Sequence, residues 1–228
     1  MTGREGSPPQ RGPRRAGRPA RPPVARSEER TAGEGSPGER PGRRAGLSPQ
    51  RVVAAAAALA DEQGPGALSL AALAERLGVR VPSLYKHVGG LDDLHRRLAL
   101  AGMLELTDQL GEATVGRSGG DALRSCATAW RAYARAHPGR YAAVQRSPDP
   151  ADAELAAAGE RLTRLVLAVL GGYGLTGDEV VHATRAVRSA LHGFVSLEAL
   201  GGFGLAPGVD ESFRRLVDLL DAGLTRRS

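Results

Sequence analysis

The sequence predicts an all-α protein of about nine helices, and three observations lead to this prediction. Apolar residues recur three and four positions apart in one segment after another, which is the spacing of a helix face that packs on a core. No segment shows the sustained apolar-polar alternation that a half-buried β-strand needs. Glycine and proline separate the helical segments and mark their ends.

Residues 1–46 form a basic segment that is too polar to bury a core. They are rich in Arg, Pro, Gly and Ser, and Val24 is their only branched aliphatic residue. They hold 11 arginines and 5 glutamates, a net charge of +6 that equals the net charge of the whole chain. We expect a disordered arm. It is either a basic arm that contacts nucleic-acid phosphates, or a segment that is dispensable or even translated upstream of the true start.

The first two helices have clear start and stop signals. Ser48-Pro49 supplies a cap and a first-turn proline, and Gly64-Pro65-Gly66 ends this helix. A second helix begins after Ser69, whose hydroxyl can cap the first turn. Gly78 then supplies the left-handed conformation that reverses the chain. One apolar face of the second helix consists of Leu70, Leu73, Ala74 and Leu77.

The third helix is predicted over about Val81 to Val88, with Pro82 in its first turn. Leu84 and Val88 are four residues apart and face inward. The remaining outer face is polar and consists of Arg80, Ser83, Tyr85, Lys86 and His87. Two short helices joined by a tight turn, the second with an exposed polar face, indicate a helix-turn-helix that enters a DNA major groove.

The segment Leu84-Tyr85-Lys86-His87-Val88 resembles the recognition helix of the TetR family of bacterial regulators. The resemblance implies a helix-turn-helix DNA-binding domain over residues 47–95 and a helical effector-binding and dimerisation domain over residues 96–228. It further implies a cytoplasmic homodimeric repressor that a small-molecule effector releases from a palindromic double-stranded DNA operator. The alternative is that Tyr85 and His87 merely close a small helical core.

The resemblance also assigns roles to individual residues. It implies that Arg80, Val81, Ser83 and Tyr85 lie at base edges or adjacent phosphates. Arg80 is the candidate for a guanine, Ser83 for a base or phosphate, and Tyr85, Lys86 and His87 for the backbone. Ser69, at a helix N-terminus, is a further phosphate candidate. Many family members have Lys where this chain has Leu91, which puts one phosphate contact in doubt.

Six more helices are predicted in the second half of the chain. We place them from Asp92 to Leu110, Asp121 to His137, around Tyr141 and Val144, and over about 151–170, 178–200 and 210–224. The last two carry apolar stripes that can pair with a second subunit as a four-helix interface or fill the core of their own domain. These stripes are Val180, Val187, Leu191 and Phe194, and Phe213, Leu216, Val217, Leu220 and Leu224.

The second half also resembles a TetR C-terminal subtype named for a Trp-His-Gly signature, which reads Leu191-His192-Gly193 in this chain. Side chains that could line an effector pocket are Trp130, Tyr133, Tyr141, Tyr173, His182, His192, Phe194 and Phe203. Most aromatic residues at such positions are ordinary core residues. His192 is the first candidate, since Gly193 beside it leaves space and Glu198 follows one and a half turns later.

Several function classes are disfavoured by the composition. Cys126 is the single cysteine and has no nearby histidine, and no phosphate-binding glycine loop or catalytic constellation appears, so we expect no enzyme and no cofactor. The histidines lack metal-site spacing, so we expect no metal. No signal peptide or membrane span is recognisable. The remaining alternative to a specific regulator is a non-specific DNA-binding protein driven by the arginine arm.

Overall fold

The all-α prediction is confirmed in a computed structural model, which describes residues 46–145, 151–206 and 208–226. These residues form nine α-helices and one 3₁₀ turn, and no strand occurs among them. The elements are α1 (Pro49–Gln63), the 3₁₀ turn (Pro65–Ala67), α2 (Leu70–Leu77), α3 (Val81–Leu84), α4 (Leu91–Thr114), α5 (Gly119–Ala136), α6 (Pro138–Val144), α7 (Ala153–Gly171), α8 (Gly177–Ala199) and α9 (Val209–Thr225).

Local hydrogen bonds fix the geometry of α2 and the turn that follows it. The Ser69 hydroxyl accepts a hydrogen bond from the Ala72 amide at 3.1 Å, as the N-cap rule predicts. At the other end Gly78 adopts φ +65° and ψ +34°, and the Val79 amide donates to the Ala74 carbonyl at 3.0 Å. This is a Schellman motif, which satisfies the last carbonyls of α2 and turns the chain towards α3.

The predicted length of α3 was wrong. Regular α-helix ends at Leu84, and residues 85–87 continue as turns. The His87 and Val88 amides both donate to the Leu84 carbonyl, at 2.8 and 3.0 Å, so one acceptor closes the segment. Gly90 follows at φ +131°, a conformation that cannot continue a helix. The inward positions were nevertheless correct, since Leu84 and Val88 are both buried.

Helix α4 is longer than predicted and packs against several other helices. It runs to Thr114 rather than Leu110, and it packs against α1, α5, α6 and α7. Helix α5 begins at Gly119 rather than Asp121, after Ser118 as its capping residue. Helix α6 packs on both α1 and α4. It therefore connects the helix-turn-helix end of the fold to the C-terminal helices.

The core is one cluster that includes residues from Val52 of α1 to Leu224 of α9. The apolar stripes predicted on α8 and α9 contribute mainly to this core: Val187, Leu191, Phe194, Phe213, Val217 and Leu224 are all buried. Other large apolar residues remain exposed on the same part of the chain, namely Val181, Leu197, Leu200, Leu205 and Leu219.

No helix within the described ranges is both long and apolar enough to span a bilayer. Residues 1–45 of the predicted arm lie outside the described residues.

Candidate functional site

Three of the five side chains predicted to form the polar face of α3 are exposed. The side chains of Arg80 and Lys86 are exposed, and 58% of the Tyr85 surface is accessible although Tyr85 directly follows the fully buried Leu84. Ser83 and His87 are half-buried. An anchored apolar edge therefore presents a polar edge to solvent, which is the arrangement of a helix that lies in a groove.

Ion pairs within the chain determine which charged side chains near this face remain available to another molecule. Arg76 forms a bidentate ion pair with Glu62, with hydrogen bonds of 2.6 and 2.7 Å. The charges of these two residues therefore neutralise each other. Arg80 and Lys86 make no side-chain hydrogen bond or ion pair within the described part of the chain. They are thus the cations of the helix-turn-helix that remain available to an anionic partner.

The N-terminus of α4 is less suited to bind phosphate. Leu91, an apolar residue, stands at its first position and is 37% exposed. Asp93 accepts a hydrogen bond from the Gly89 amide at 2.8 Å and two from Arg97. Arg97 and the Gly89 amide hold the pKa of Asp93 below its ordinary value, against the opposing effect of burial. A fixed carboxylate in this turn disfavours an anion there.

A cavity of about 320 Å³ lies among the C-terminal helices and is the main candidate for an effector site. Its inner walls are buried and apolar and include Met103 of α4, Trp130 of α5, Val144 of α6 and Val166 of α7. The complete lining is Met103, Trp130, Val144, Gly159, Leu162, Thr163, Val166, Leu167, Val181, Thr184, Arg185 and Arg188. A concave apolar site with a few polar groups is typical of small-molecule binding.

Two of the predicted effector residues stand directly behind the Trp130 wall. The Trp130 indole N–H donates to the Tyr141 hydroxyl at 3.0 Å, and that hydroxyl lies 2.9 Å from His192 Nδ1. Since indole is a donor only, the Tyr141 hydroxyl accepts the bond from Trp130, and its own proton remains available for donation to Nδ1 of a neutral His192. Burial raises the pKa of Tyr141 to about 12, and burial together with the charge of Arg188 lowers the pKa of His192.

The other predicted effector residues lie elsewhere. Tyr133 is buried with its hydroxyl donating to Glu105 at 3.2 Å, and His182 lines a separate groove between α8 and α9. Phe194 stacks on Phe203 and Phe213. Tyr173 donates to Asp221 at 2.6 Å. None of these five side chains lines the 320 Å³ cavity, and their contact with an effector stays a prediction.

Glu198 does not partner His192 as the sequence suggested. It accepts two hydrogen bonds from Arg131, at 2.8 and 2.5 Å, and these bonds, together with the charge of Arg131, lower the pKa of Glu198. Arg131 also reaches Asp210 at 2.7 Å and lies 4.8 Å over the Phe213 ring. This buried guanidinium joins α5 to the end of α8 and the start of α9, which is a structural role.

The sequence reasoning missed Arg185 and Arg188. Both line the cavity on α8, with Val181 and Thr184, at the i, i+3, i+4 and i+7 positions of one helix face. A signal was present in the sequence: neither arginine has an acidic residue three or four positions away, in either direction. That signal is incomplete because an acidic residue on another helix could have paired with them.

Helix α6 links this cavity to the helix-turn-helix end. Val144 lines the cavity, while Arg140, one turn earlier, donates from its amide and its Nε to Asp61 of α1, at 3.0 and 2.9 Å. Arg140 also reaches Glu105 of α4 at 2.6 Å. Beside it, a Cβ added to Gly139 would lie 2.2 Å from the Ala60 carbonyl carbon of α1. We call these four residues, Asp61, Glu105, Gly139 and Arg140, the α6 junction.

Two family models match the chain. Residues 52–97 match the tetR family of bacterial regulatory proteins, and residues 123–220 match the tetracyclin repressor-like C-terminal domain. The HTH-type transcriptional regulator Rv0681 of Mycobacterium tuberculosis, itself uncharacterised, is 39% identical over 80% of this chain and 84% of its own length. The chain belongs to the TetR family of transcriptional regulators.

Solved TetR-family structures are similar to this regulator over most of its length. A TetR protein of Acinetobacter baumannii, crystallised as a variant in complex with minocycline, is 26% identical and covers 79% of this chain and 98% of its own, with a TM-score of 0.60. A Rhodococcus protein of unknown function gives a TM-score of 0.67 at 24% identity, covering 80% of this chain and 98% of its own. At that identity the likeness shows the fold alone.

Cys126 is placed unfavourably for nucleophilic chemistry in this TetR-family chain. It is buried in α5, and burial raises the pKa of its thiol to about 12. The thiol is therefore protonated at neutral pH, whereas a reactive cysteine needs a thiolate. Within the described ranges no group of three or more potential metal ligands comes together.

Proposed function

We propose that this TetR-family regulator is a cytoplasmic homodimeric repressor, released from a near-palindromic operator by a small molecule bound in the 320 Å³ cavity. We infer a regulatory rather than an enzymatic role. One observation carries the DNA-reading part of the proposal: Arg80, Tyr85 and Lys86 are exposed on a segment whose apolar side, Leu84 and Val88, is fixed in the core. The buried residues hold this face in a fixed position, and its exposed side chains remain available to a partner molecule.

In this proposal some residues of the face contact base edges and others contact the DNA backbone. Arg80 contacts a guanine edge, and Val81 and Ser83 lie at base edges or adjacent phosphates. Tyr85, Lys86 and His87 contact the DNA backbone, and so does Ser69 at the N-terminus of α2. The Ser69 hydroxyl already accepts a hydrogen bond from Ala72, but its own proton is free to be donated to a phosphate.

The proposed dimer uses the parts of α8 and α9 that the core leaves uncovered. Leu219 is 70% exposed, and the groove between the two helices is lined by small residues, Ala186 and Gly223 among them. Small residues allow two helices of a partner subunit to approach closely. A two-fold axis there would present two recognition segments to successive major grooves.

The proposed domain division, residues 47–95 and 96–228, makes the α6 junction the route between effector and DNA. An effector that displaces Val144 moves α6, and Arg140 and Gly139 on α6 hold α1 through Asp61 and Ala60. The effector then favours a state of the dimer in which the recognition segments are spaced wrongly for the operator. The minocycline complex of the Acinetobacter relative supports a small-molecule effector. We further propose the Trp-His-Gly C-terminal subtype, with Leu191 in place of Trp.

The test is a measurement of DNA binding by the full chain on operators selected from a random palindrome library. Arg80→Ala should reduce the preference between bases at one operator position by a factor of about 5 to 100, the range of a bidentate base contact. Lys86→Ala should weaken binding to all DNA sequences alike and lower the salt dependence of binding. Arg164→Ala, an exposed arginine on α7, is the matched control. Selection of no preferred sequence would refute the proposal.

A non-specific DNA-binding protein driven by the arginine arm is the second candidate. Its support is the concentration of the net charge of +6 in residues 1–46. Deletion of residues 1–45 distinguishes the two candidate functions. It should abolish DNA binding by a non-specific DNA-binding protein, and it should only weaken DNA binding by a sequence-specific repressor. The comparison should be made at several salt concentrations, since phosphate contacts lose affinity steeply with salt.

A further inference from the structure

The 320 Å³ cavity has a closed end and an open end of different chemistry. Met103, Trp130, Val144 and Val166 are buried and form the closed end. Thr163, Val181, Arg185 and Arg188 are solvent-exposed or nearly so and form the open end. A ligand that fills the cavity would therefore bury an apolar body and present its other end to the α8 side.

The polar groups of the lining leave the two arginines as the strongest donors. The Thr163 hydroxyl donates to the Gly159 carbonyl at 2.9 Å, and the Thr184 hydroxyl donates to the Val180 carbonyl at 2.7 Å. Both hydroxyl protons are thus used within their own helices. No acidic residue is part of the lining, so the guanidinium groups of Arg185 and Arg188 are not neutralised at the site.

These two arginines differ from most of the others on the C-terminal helices. The usual arrangement is an ion pair with a carboxylate, as in Arg96, Arg97, Arg124, Arg131, Arg140, Arg161, Arg164, Arg214 and Arg215. Arg185 and Arg188 have neither an ion pair nor a side-chain hydrogen bond among the described residues. Two like charges one turn apart also repel each other, and a bound anion would relieve that repulsion.

The α8 face that carries these arginines is distinct from the face proposed for the dimer. Val181, Thr184, Arg185 and Arg188 lie on one stripe, towards the cavity. His182 and Ala186 lie about 110° and 150° around the helix from the centre of that stripe, at roughly 100° per residue, in the groove towards α9. A partner subunit on the α9 side would leave the open end of the cavity accessible.

We propose that the effector is an amphipathic anion, an apolar body of medium size that ends in a carboxylate or another anionic oxygen group. Arg188 and Arg185 bind the anionic group, and the guanidinium fork can donate two parallel hydrogen bonds to a carboxylate. The closed end holds the apolar body. The inference rests on the proposed function in one respect, namely that this cavity is the effector site.

The test compares three ligands that differ only in the head group: decanoate, decanol and decylammonium. Isothermal titration on the full chain, without DNA, should show that decanoate binds about tenfold more tightly than decanol, the value of one charge-assisted hydrogen bond. Decylammonium should bind more weakly than decanol. Raised salt should weaken the binding of decanoate and leave the binding of decanol unchanged. Equal affinities for the three ligands, or no binding of decanoate, would overturn the inference.

Variants identify the residues responsible. Arg188→Gln should reduce the preference for decanoate over decanol to about threefold or less, and Arg185→Gln combined with it should abolish the preference. Both side chains are exposed, so these variants fold; decanol affinity should be unchanged and reports on the cavity itself. Arg164→Gln, an exposed arginine of α7 outside the lining, should behave as the parent chain. A preference for decanoate that survives in the double variant contradicts the assignment.

A separate measurement distinguishes this inference from the proposed function. The operator affinity of the full chain is measured with and without saturating decanoate. Decanoate binding that depends on Arg188 but leaves operator affinity unchanged supports the ligand class and overturns the effector role of the cavity. Operator binding without any decanoate binding overturns the ligand class and leaves the regulator intact.

Discussion

The helix-turn-helix and the effector cavity are assembled in opposite ways. The helix-turn-helix is specified within some twenty residues, by the Ser69 cap, the left-handed Gly78 and the buried Leu84 and Val88. The cavity takes its lining from five helices, between Met103 and Arg188. A site of the first kind can be recognised from a short string of residues, whereas a site of the second kind exists only after the helices have packed.

The largest effect is expected at Gly139, where the two regions meet. Gly139→Ala should lower the free energy of unfolding by about 3 kcal/mol, because its Cβ would lie 2.2 Å from the Ala60 backbone and α6 must move away from α1. Gly193→Ala is the matched control, since a Cβ there meets nothing within 4 Å and should stabilise α8 by up to about 1 kcal/mol. Chemical denaturation measures both. If both substitutions stabilise the chain, the close contact of α1 with α6 is wrong.

A smaller loss is expected at Asp61, which ties α1 to α6. Asp61→Asn should destabilise the chain by about 1 to 3 kcal/mol, because Arg140 loses charge-assisted hydrogen bonds in a mostly buried setting. It should also weaken the effect of ligand on DNA affinity more than it weakens ligand binding. The neighbouring Glu62→Gln breaks an exposed pair with Arg76 and should leave stability unchanged within error. Equal losses from the two substitutions would remove the special role of the α6 junction.

The turn after α2 should respond to backbone conformation and not to side-chain size. Gly78→Ala should cost about 1 kcal/mol of stability, since Gly78 has φ +65° and nothing crowds its Cβ position. Gly78→Asn should cost less, because Asn tolerates the left-handed region. Thermal unfolding of the two variants gives the comparison. A larger loss for Asn than for Ala would show that space, rather than φ, limits this position.

The smallest effect is a pH dependence arising from His192. The pKa of His192 in the folded chain is lowered by burial and by Arg188, so the unfolded chain binds a proton that the folded chain does not. Stability should therefore fall as pH falls below the unfolded value of about 6.5. Parent and His192→Gln are compared by denaturation at pH 7.5 and 5.5, and the parent should lose more. Identical losses would mean that His192 has an ordinary pKa in the folded chain.

The sequence was a good guide where the signals are local. The order of the helices in the described residues, the caps and the inward positions of Leu84 and Val88 were predicted correctly. Helix α4 ends four residues later and α5 begins two residues earlier than predicted, and the C-terminal end of α3 was placed too far along the chain. That error arose because Leu84 alone accepts the last two amides, which the apolar spacing of residues 84 and 88 does not reveal.

The effector site was less predictable. Trp130, Tyr141 and His192 were predicted as side chains that could line a pocket between helices, and the fold brings these three into one hydrogen-bonded chain. Tyr133 and Phe194 were predicted in the same way, but they contact other side chains, Glu105 and Phe203 respectively. Periodicity tells which side of a helix is buried, but it does not tell which neighbouring helix that side meets.

The sequence by itself determined the helices, the turn at Gly78 and the exposed face of Arg80, Tyr85 and Lys86. Backbone hydrogen bonds and the allowed φ values act over a few residues, so a short stretch of chain specifies them. The tertiary structure decided which arginines are paired and which are available. Arg131 meets Glu198 and Asp210 from other helices, whereas Arg188 faces an apolar cavity. The physical reason is that charge pairing depends on distance in space, which is fixed only when the helices pack.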